Sequence, residues 1–282
     1  MRWIVALSIL FVGTMSCAFA KAESFLAPGV GLRALGMGGA FVAVADDITA
    51  VYWNPAGLPQ LHGLHVLASL PFTNSSSTFF TQFYGAGGAI GFVGMGGISA
   101  TKTYLTGPVR EEREMNQLGL GGQLTSFFRA GIAAKRYART LGGTRTEGLG
   151  LDLGIIIEPE PVAAIALQLT DIGGVTLRSL APDIPPFQAE MMVHIGARFR
   201  ILNDHLRFGL GMDVTQGGNV SGFHFGMEGI IYEAFALRAG WNNGEITLGI
   251  GLGIKNLFDI EVMNVGNSWT VSTELVLFGR KS

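Results

Sequence analysis

From about residue 60 onward, apolar side chains fall on every second position. In Glu245-Ile-Thr-Leu-Gly-Ile-Gly-Leu-Gly-Ile254, Ile246, Leu248, Ile250, Leu252 and Ile254 share one side, and Glu245, Thr247, Gly249, Gly251 and Gly253 share the other. The same pattern runs through 148–155, 191–199, 206–214 and 222–228. Only a β-strand turns successive side chains to opposite faces. A soluble strand would carry Lys, Glu and Thr on its wet face. Here the second face is glycine with scattered charge, while the first is Leu, Ile, Phe and Met. That pairing fits a closed barrel with its bulky apolar face outside and small residues with compensating charges inside.

The chain is thus expected to be an all-β, transmembrane antiparallel β-barrel. Only 14% of its residues are charged, against ~25% in ordinary globular domains. Past residue 20 there is no apolar run of the ~20 residues a spanning helix needs. Lipid offers no partner to unpaired backbone groups, so a closed barrel is the remaining membrane solution. About 14 segments are expected, at 62–71, 76–84, 88–98, 115–125, 128–138, 146–157, 161–171, 187–199, 204–214, 219–230, 234–242, 245–255, 258–266 and 269–279. Short turns are expected near 85–87, 126–127 and 159–160, and longer loops at 99–114, 139–145 and 172–186. Phe199, Tyr232, Phe235, Trp241, Phe258, Trp269 and Phe278 fall near strand ends, where aromatic girdles belong. Phe278 also suits recognition by the barrel-assembly machinery.

The interior face is expected to carry Arg129, Lys135, Arg198, Arg207 and Arg238 against Asp152, Asp213, Glu228, Asp259, Glu261 and Glu274, with His194 and His224 as polar lining. Signs so nearly balanced favour cross-strand pairs over an ion-selective pore. His62 and His65, at the start of the first strand, are expected at the membrane interface. A formal charge of −2 gives no electrostatic reason to expect nucleic acid. Gly29-Val-Gly-Leu-Arg-Ala34 has a dinucleotide-loop spacing but lies in no βαβ unit. No nucleophile motif, metal-ligand spacing or cofactor signature is found, so no enzyme, metal or cofactor is expected.

Arg2, the apolar run 3–12 and Ala18-Phe19-Ala20 read as an export signal cleaved before Lys21. The lone Cys17 leaves with it. The expected organisation is a signal peptide at 1–20, a plug or hatch at 21–60 and a barrel at 61–282, placed in a bacterial outer membrane. Residues 21–60 do not alternate and are too rich in Gly and Ala for a free tail, so they are expected inside the barrel.

Gly31-Leu-Arg-Ala-Leu-Gly-Met-Gly-Gly-Ala-Phe-Val-Ala-Val-Ala-Asp-Asp-Ile-Thr-Ala-Val-Tyr-Trp-Asn-Pro-Ala-Gly57 resembles the N-terminal region of the FadL-type outer-membrane transporters and, more closely, of their smaller PorV/PorQ-type relatives. The resemblance implies a 14-stranded barrel with an N-terminal hatch, in which Asp46, Asp47, Asn54, Pro55 and Ala56 are hatch residues. Asp46 and Asp47 would sit near interior arginines such as Arg207 or Arg238, or cap local backbone. The chain is shorter than the fatty-acid transporters, and most of its connections are short. Two functions are therefore kept. One is passive uptake of small hydrophobic compounds, with the glycine-rich third strand at Gly91, Gly94 and Gly96 as a lateral opening. The other is a non-transporting barrel that partners secretion-system proteins. In both, the outer partner is membrane lipid.

Overall fold

The structure, a computed structural model, describes residues 25–26, 29–72, 79–106, 109–178, 186–232, 234–254, 258–265 and 268–277. The expected signal peptide at 1–20 with Cys17, and the side chains of Phe258, Trp269 and Phe278, lie outside them. Two short helices, α1 (Leu32–Gly36) and α2 (Ala50–Trp53), and a 3-10 turn (Pro55–Gln60) precede the strands. The strands are β1 (Gly63–Phe72), β2 (Phe79–Ile90), β3 (Val93–Thr106), β4 (Val109–Gln123), β5 (Phe128–Leu141), β6 (Thr144–Glu160), β7 (Ala163–Thr170), β8 (Val175–Leu177), β9 (Phe187–Ala189), β10 (Met192–Ile201), β11 (Leu206–Thr215), β12 (Val220–Ile231), β13 (Phe235–Asn242), β14 (Glu245–Ile254), β15 (Phe258–Val265) and β16 (Ser268–Leu277).

Fourteen of these strands form one closed antiparallel barrel, and β8 with β9 makes a separate two-stranded ladder in the connection between β7 and β10. The seam runs between β1 and β16, from Leu64↔Leu277 to Phe72↔Trp269. Closure leaves the barrel sheet itself without an edge strand. The alternation sorts the faces as expected. Leu149, Ile246 and Leu248 point outward, with Leu149 78% exposed, while Arg198, Glu228 and Arg238 point inward and are buried. Along β6 the outward apolar positions run from 149 to 157. At ~3.3 Å per residue and a ~40° tilt that makes a belt ~20 Å tall, close to the ~25 Å of an outer-membrane barrel.

Several connections differ from the sequence expectation. The 99–114 stretch is not a loop, because β3 and β4 stay paired out to Thr106↔Val109. Both faces there are polar, so no apolar alternation marks them. The glycines at 85–87 lie within β2, and the turn falls at 91–92, where Gly91 has φ +60°. The β5–β6 connection is a two-residue turn at Gly142–Gly143 with both φ positive, as a tight hairpin requires. The long connection 172–186 contains β8, whose Val175 and Leu177 are buried inside. His65 is not interfacial: it is buried inward, with Nδ1 2.8 Å from Glu274 Oε1.

The lateral opening expected at Gly91, Gly94 and Gly96 is not formed. The β2–β3 and β3–β4 ladders pair residue by residue past Gly94 and Gly96, and Gly91 belongs to the turn. These glycines serve close approach instead. A Cβ on Gly94 would stand 2.2 Å from the Leu58 carbonyl oxygen, and one on Gly96 would stand 2.9 Å from Ile48 Cδ1. Among the described residues, register shifts occur at Asp213/Val214 in β11–β12 and between Ile157 and Glu160 in β6–β7.

Candidate functional site: the barrel interior

Residues 29–61 pack against the inward faces of strands on opposite sides of the barrel. On one side, the 3-10 turn lies against β2 to β6. On the other, α1 lies against β13 to β16. The wall is shaped for this contact. A Cβ on Gly240 would fall 2.1 Å from Gly38 N, and one on Gly131 would fall 2.3 Å from the Pro55 carbonyl carbon. Both are backbone atoms with no room to yield, so glycine is the residue these positions take.

Two kinds of contact hold the segment. Toward β2–β6 they are mainly apolar, through Ile48, Val51 and Leu58, and Asn54 adds polar contacts. Asn54 is fully buried. Its Oδ1 accepts from Ala56 N at 3.1 Å, and its Nδ2 donates to the carbonyls of Val42 (3.1 Å) and Ile155 (3.2 Å). Pro55 and Ala56 open the 3-10 turn behind this cap. Asn54→Ala is expected to lower stability by about 1–3 kcal/mol, the cost of stranding buried backbone groups, read as a reduced urea midpoint at unchanged slope.

Toward β11–β15 an ionic network is added to the packing of Leu32 and Leu35 on Met263. Arg33 donates to Asp46 Oδ1 at 2.5 Å, to Glu228 Oε2 at 2.8 Å and to Asp47 Oδ2 at 3.3 Å. Arg207 reaches Asp46 at 3.1 Å and Glu228 at 3.3 Å; Arg238 reaches Glu228 at 2.6 Å and also pairs with Glu261. Asp47 in addition accepts from Thr49 N at 2.9 Å. Burial alone would raise the Asp46 carboxyl, yet Arg33 and Arg207 hold it well below the usual carboxylate range. A depressed folded value stabilises the fold at and above the ordinary range, and that stabilisation is lost only as pH falls through the depressed value.

The remaining predicted interior residues all face inward. Arg129 and Arg198 both pair with Glu158, Arg198 at 2.5 Å. Asp152 takes Lys135 Nζ at 2.8 Å, Gln117 Nε2 at 2.9 Å and Asp171 N at 2.9 Å. His194 and His224 lie on strands that are not neighbours, but Asp213 on the strand between joins them. His194 Nδ1 is 2.7 Å from Asp213 Oδ1, and His224 Nε2 is 2.8 Å from Asp213 Oδ2. The other nitrogen of His224 lies 3.0 Å from the Gly38 carbonyl. Both its ring nitrogens therefore face acceptors, and the imidazolium form satisfies both. Sequence reasoning did not single out Arg33, Glu158 or Asp171. For Arg33 a signal existed, as a lone charge in a Gly/Ala-rich stretch.

Among the described residues, a larger and a smaller cavity lie beside the segment. The larger, about 910 Å³, lies among Phe25, Trp53, Phe187, His194, Asp213 and Asn243. The smaller, about 350 Å³, lies among Arg33, Asp204, Arg207, Glu228 and Arg238. Along β11 they are reached from Asp213 and Arg207, six residues or ~20 Å apart. No protein-family model matches the chain, and no curated protein sequence matches it. Solved structures do. A Ralstonia pickettii toluene transporter, TbuX, superposes with a TM-score of 0.65 at 15% identity, covering 90% of this chain and 98% of that one. The fold is that of the toluene-transporter barrels. The Pseudomonas putida toluene transporter TodX gives 0.64 at 11% identity over 88% of this chain and 99% of its own, and a Pseudomonas aeruginosa FadL homologue gives 0.60 at 11% over 91% and 100%.

Proposed function

We propose that this chain is a bacterial outer-membrane conduit for the passive entry of small hydrophobic compounds, with residues 29–61 acting as a hatch. The observation that carries the reading is a cavity of about 910 Å³ with aromatic walls, inside a barrel with an apolar belt, parted from a second cavity by a separate segment. The apolar belt supports placement in lipid. The likeness to transporters of toluene supports the cargo class. The scaffold alternative has no comparable observation in its favour.

A reversible cross-link tests the hatch. A Cβ built on Gly196 stands 3.4 Å from Ala43 Cβ, close to the ~3.5–4.5 Å of a disulfide. Ala43→Cys with Gly196→Cys should therefore tie the segment to β10. Oxidised protein in proteoliposomes is expected to take up toluene no faster than empty vesicles, and reduction is expected to restore the rate. Equal uptake in both redox states would remove the hatch from the mechanism. No uptake by the wild-type barrel would remove the conduit reading.

A further inference from the structure

The larger cavity is not a plain apolar pocket. Its walls include the rings of Phe25, Tyr52, Trp53, Tyr137 and Phe187. Its strong hydrogen-bond donors are already committed within the protein. Lys135 Nζ is held by Asp152 at 2.8 Å and Asp171 at 3.0 Å. The Tyr137 hydroxyl donates to Asp171 at 2.9 Å, and Trp53 Nε1 donates to the Val30 carbonyl at 2.7 Å. Gln168 Nε2 donates to the Tyr52 carbonyl at 2.7 Å, and the two imidazoles serve Asp213. Arg113, a nearby cation, does not line the space: it lies against the rings of Phe25 and Phe187, at 5.9 and 4.9 Å from their centroids.

What the lining still offers is acceptor capacity. Asp171, Glu190, Asp213 and Glu245 all border the cavity, and a carboxylate has about four lone-pair sites. Glu190 and Glu245 are exposed at the rim. The Thr170 hydroxyl, 3.2 Å from His194 Nε2, adds a further acceptor oxygen. The neutral rim amide of Asn243 already accepts from Phe223 N through Oδ1 at 2.8 Å. Among the described residues, an anion entering here meets carboxylates and no uncommitted cation, while a cation meets carboxylates and ring faces.

We propose that the larger cavity selects small aromatic compounds bearing a hydrogen-bond donor, above all an ammonium group, over the corresponding carboxylates. The inference rests on the conduit reading and narrows its cargo. Its test uses three probes of similar size against the full chain in detergent, by titration calorimetry at pH 7: benzylammonium, toluene and phenylacetate. Benzylammonium is expected to bind at least about tenfold tighter than phenylacetate. Asp213→Asn is expected to weaken benzylammonium while leaving toluene unchanged. Should that variant not fold, Glu190→Gln with Glu245→Gln at the exposed rim is expected to narrow the preference about two- to threefold.

Phenylacetate binding as tightly as benzylammonium would overturn the inference, as would a preference that every folded variant leaves unchanged. Toluene binding with no ammonium preference would overturn it and leave the conduit reading standing. Failure of all three to bind, together with no uptake of toluene, would overturn both.

Discussion

Gly240→Leu is expected to expel the N-terminal segment while leaving the barrel closed. The new Cβ would stand 2.1 Å from Gly38 N and 2.4 Å from the Met37 carbonyl carbon. Both are backbone atoms, so no rotamer change relieves the overlap. The cost therefore exceeds the ~1–3 kcal/mol of ordinary overpacking. The ladders on both sides of β13 use main-chain groups, and the outward face is untouched, so the barrel keeps its pairing. The expected result is a heat-modifiable, detergent-resistant barrel whose residues 29–61 have become cleavable by added protease. Gly229→Leu is the control, since a Cβ there meets nothing within 4 Å, and it should leave the segment protected. A protected segment in Gly240→Leu would show that the fit at the wall does not hold it.

Arg33→Met is expected to loosen the same segment from the other direction. Arg33 bridges Asp46 and Asp47 on the segment to Glu228 on the wall. Removing one partner of a buried charged cluster leaves carboxylates uncompensated and costs about 3–5 kcal/mol. Hydrogen exchange should report it as faster exchange confined to residues 29–61. Glu228→Gln added to Arg33→Met removes one stranded charge and should recover part of the loss. Strict additivity of the two changes would show that these groups are not coupled.

The barrel was legible because its outward face is continuously apolar, so β11 to β14 start and end within two residues of where the alternation placed them, while the segment expected at 187–199 divides into β9 and β10. The far ends of β3 and β4 were not legible. Thr101, Lys102, Thr103 and Tyr104 oppose Glu114, Arg113, Glu112 and Glu111, and a strand polar on both faces has no period to read. The Gly-Ala-Gly-Gly run at 85–88 mimics a turn. Its glycines instead make room for other residues: a Cβ on Gly87 would meet Ile48 Cδ1 at 2.6 Å.

Among the site residues, the inward side of every predicted charge followed from parity, because a side chain's face depends only on odd or even position. Partners did not follow, since they depend on register between distant strands. Asp213 receives both His194 and His224 only because β10, β11 and β12 align Gly211 with His224 and Asp213 with His194. The ties of Asp46 to Arg33 and Arg207 needed the path of the segment itself, which no periodicity encodes.

The unequal strand lengths give the mouth a direction. On β3 to β6 the outward face turns polar near Ser99, Asn116, Arg136 and Glu147, yet β3 continues to Thr106, another ~23 Å along the strand. On the opposite side β13 and β14 stop at the Asn243–Gly244 turn, with outward-facing Ile246 79% exposed just below it. Asn243 and Glu245, at this low edge, line the larger cavity. With the belt in lipid, one flank stands as a tall polar parapet and the other is a sill level with the bilayer surface. Under the conduit role proposed above, a compound that accumulates by partitioning at that surface would meet the sill first, and its supply would be set by how strongly it enriches in the adjoining leaflet rather than by its concentration in bulk water.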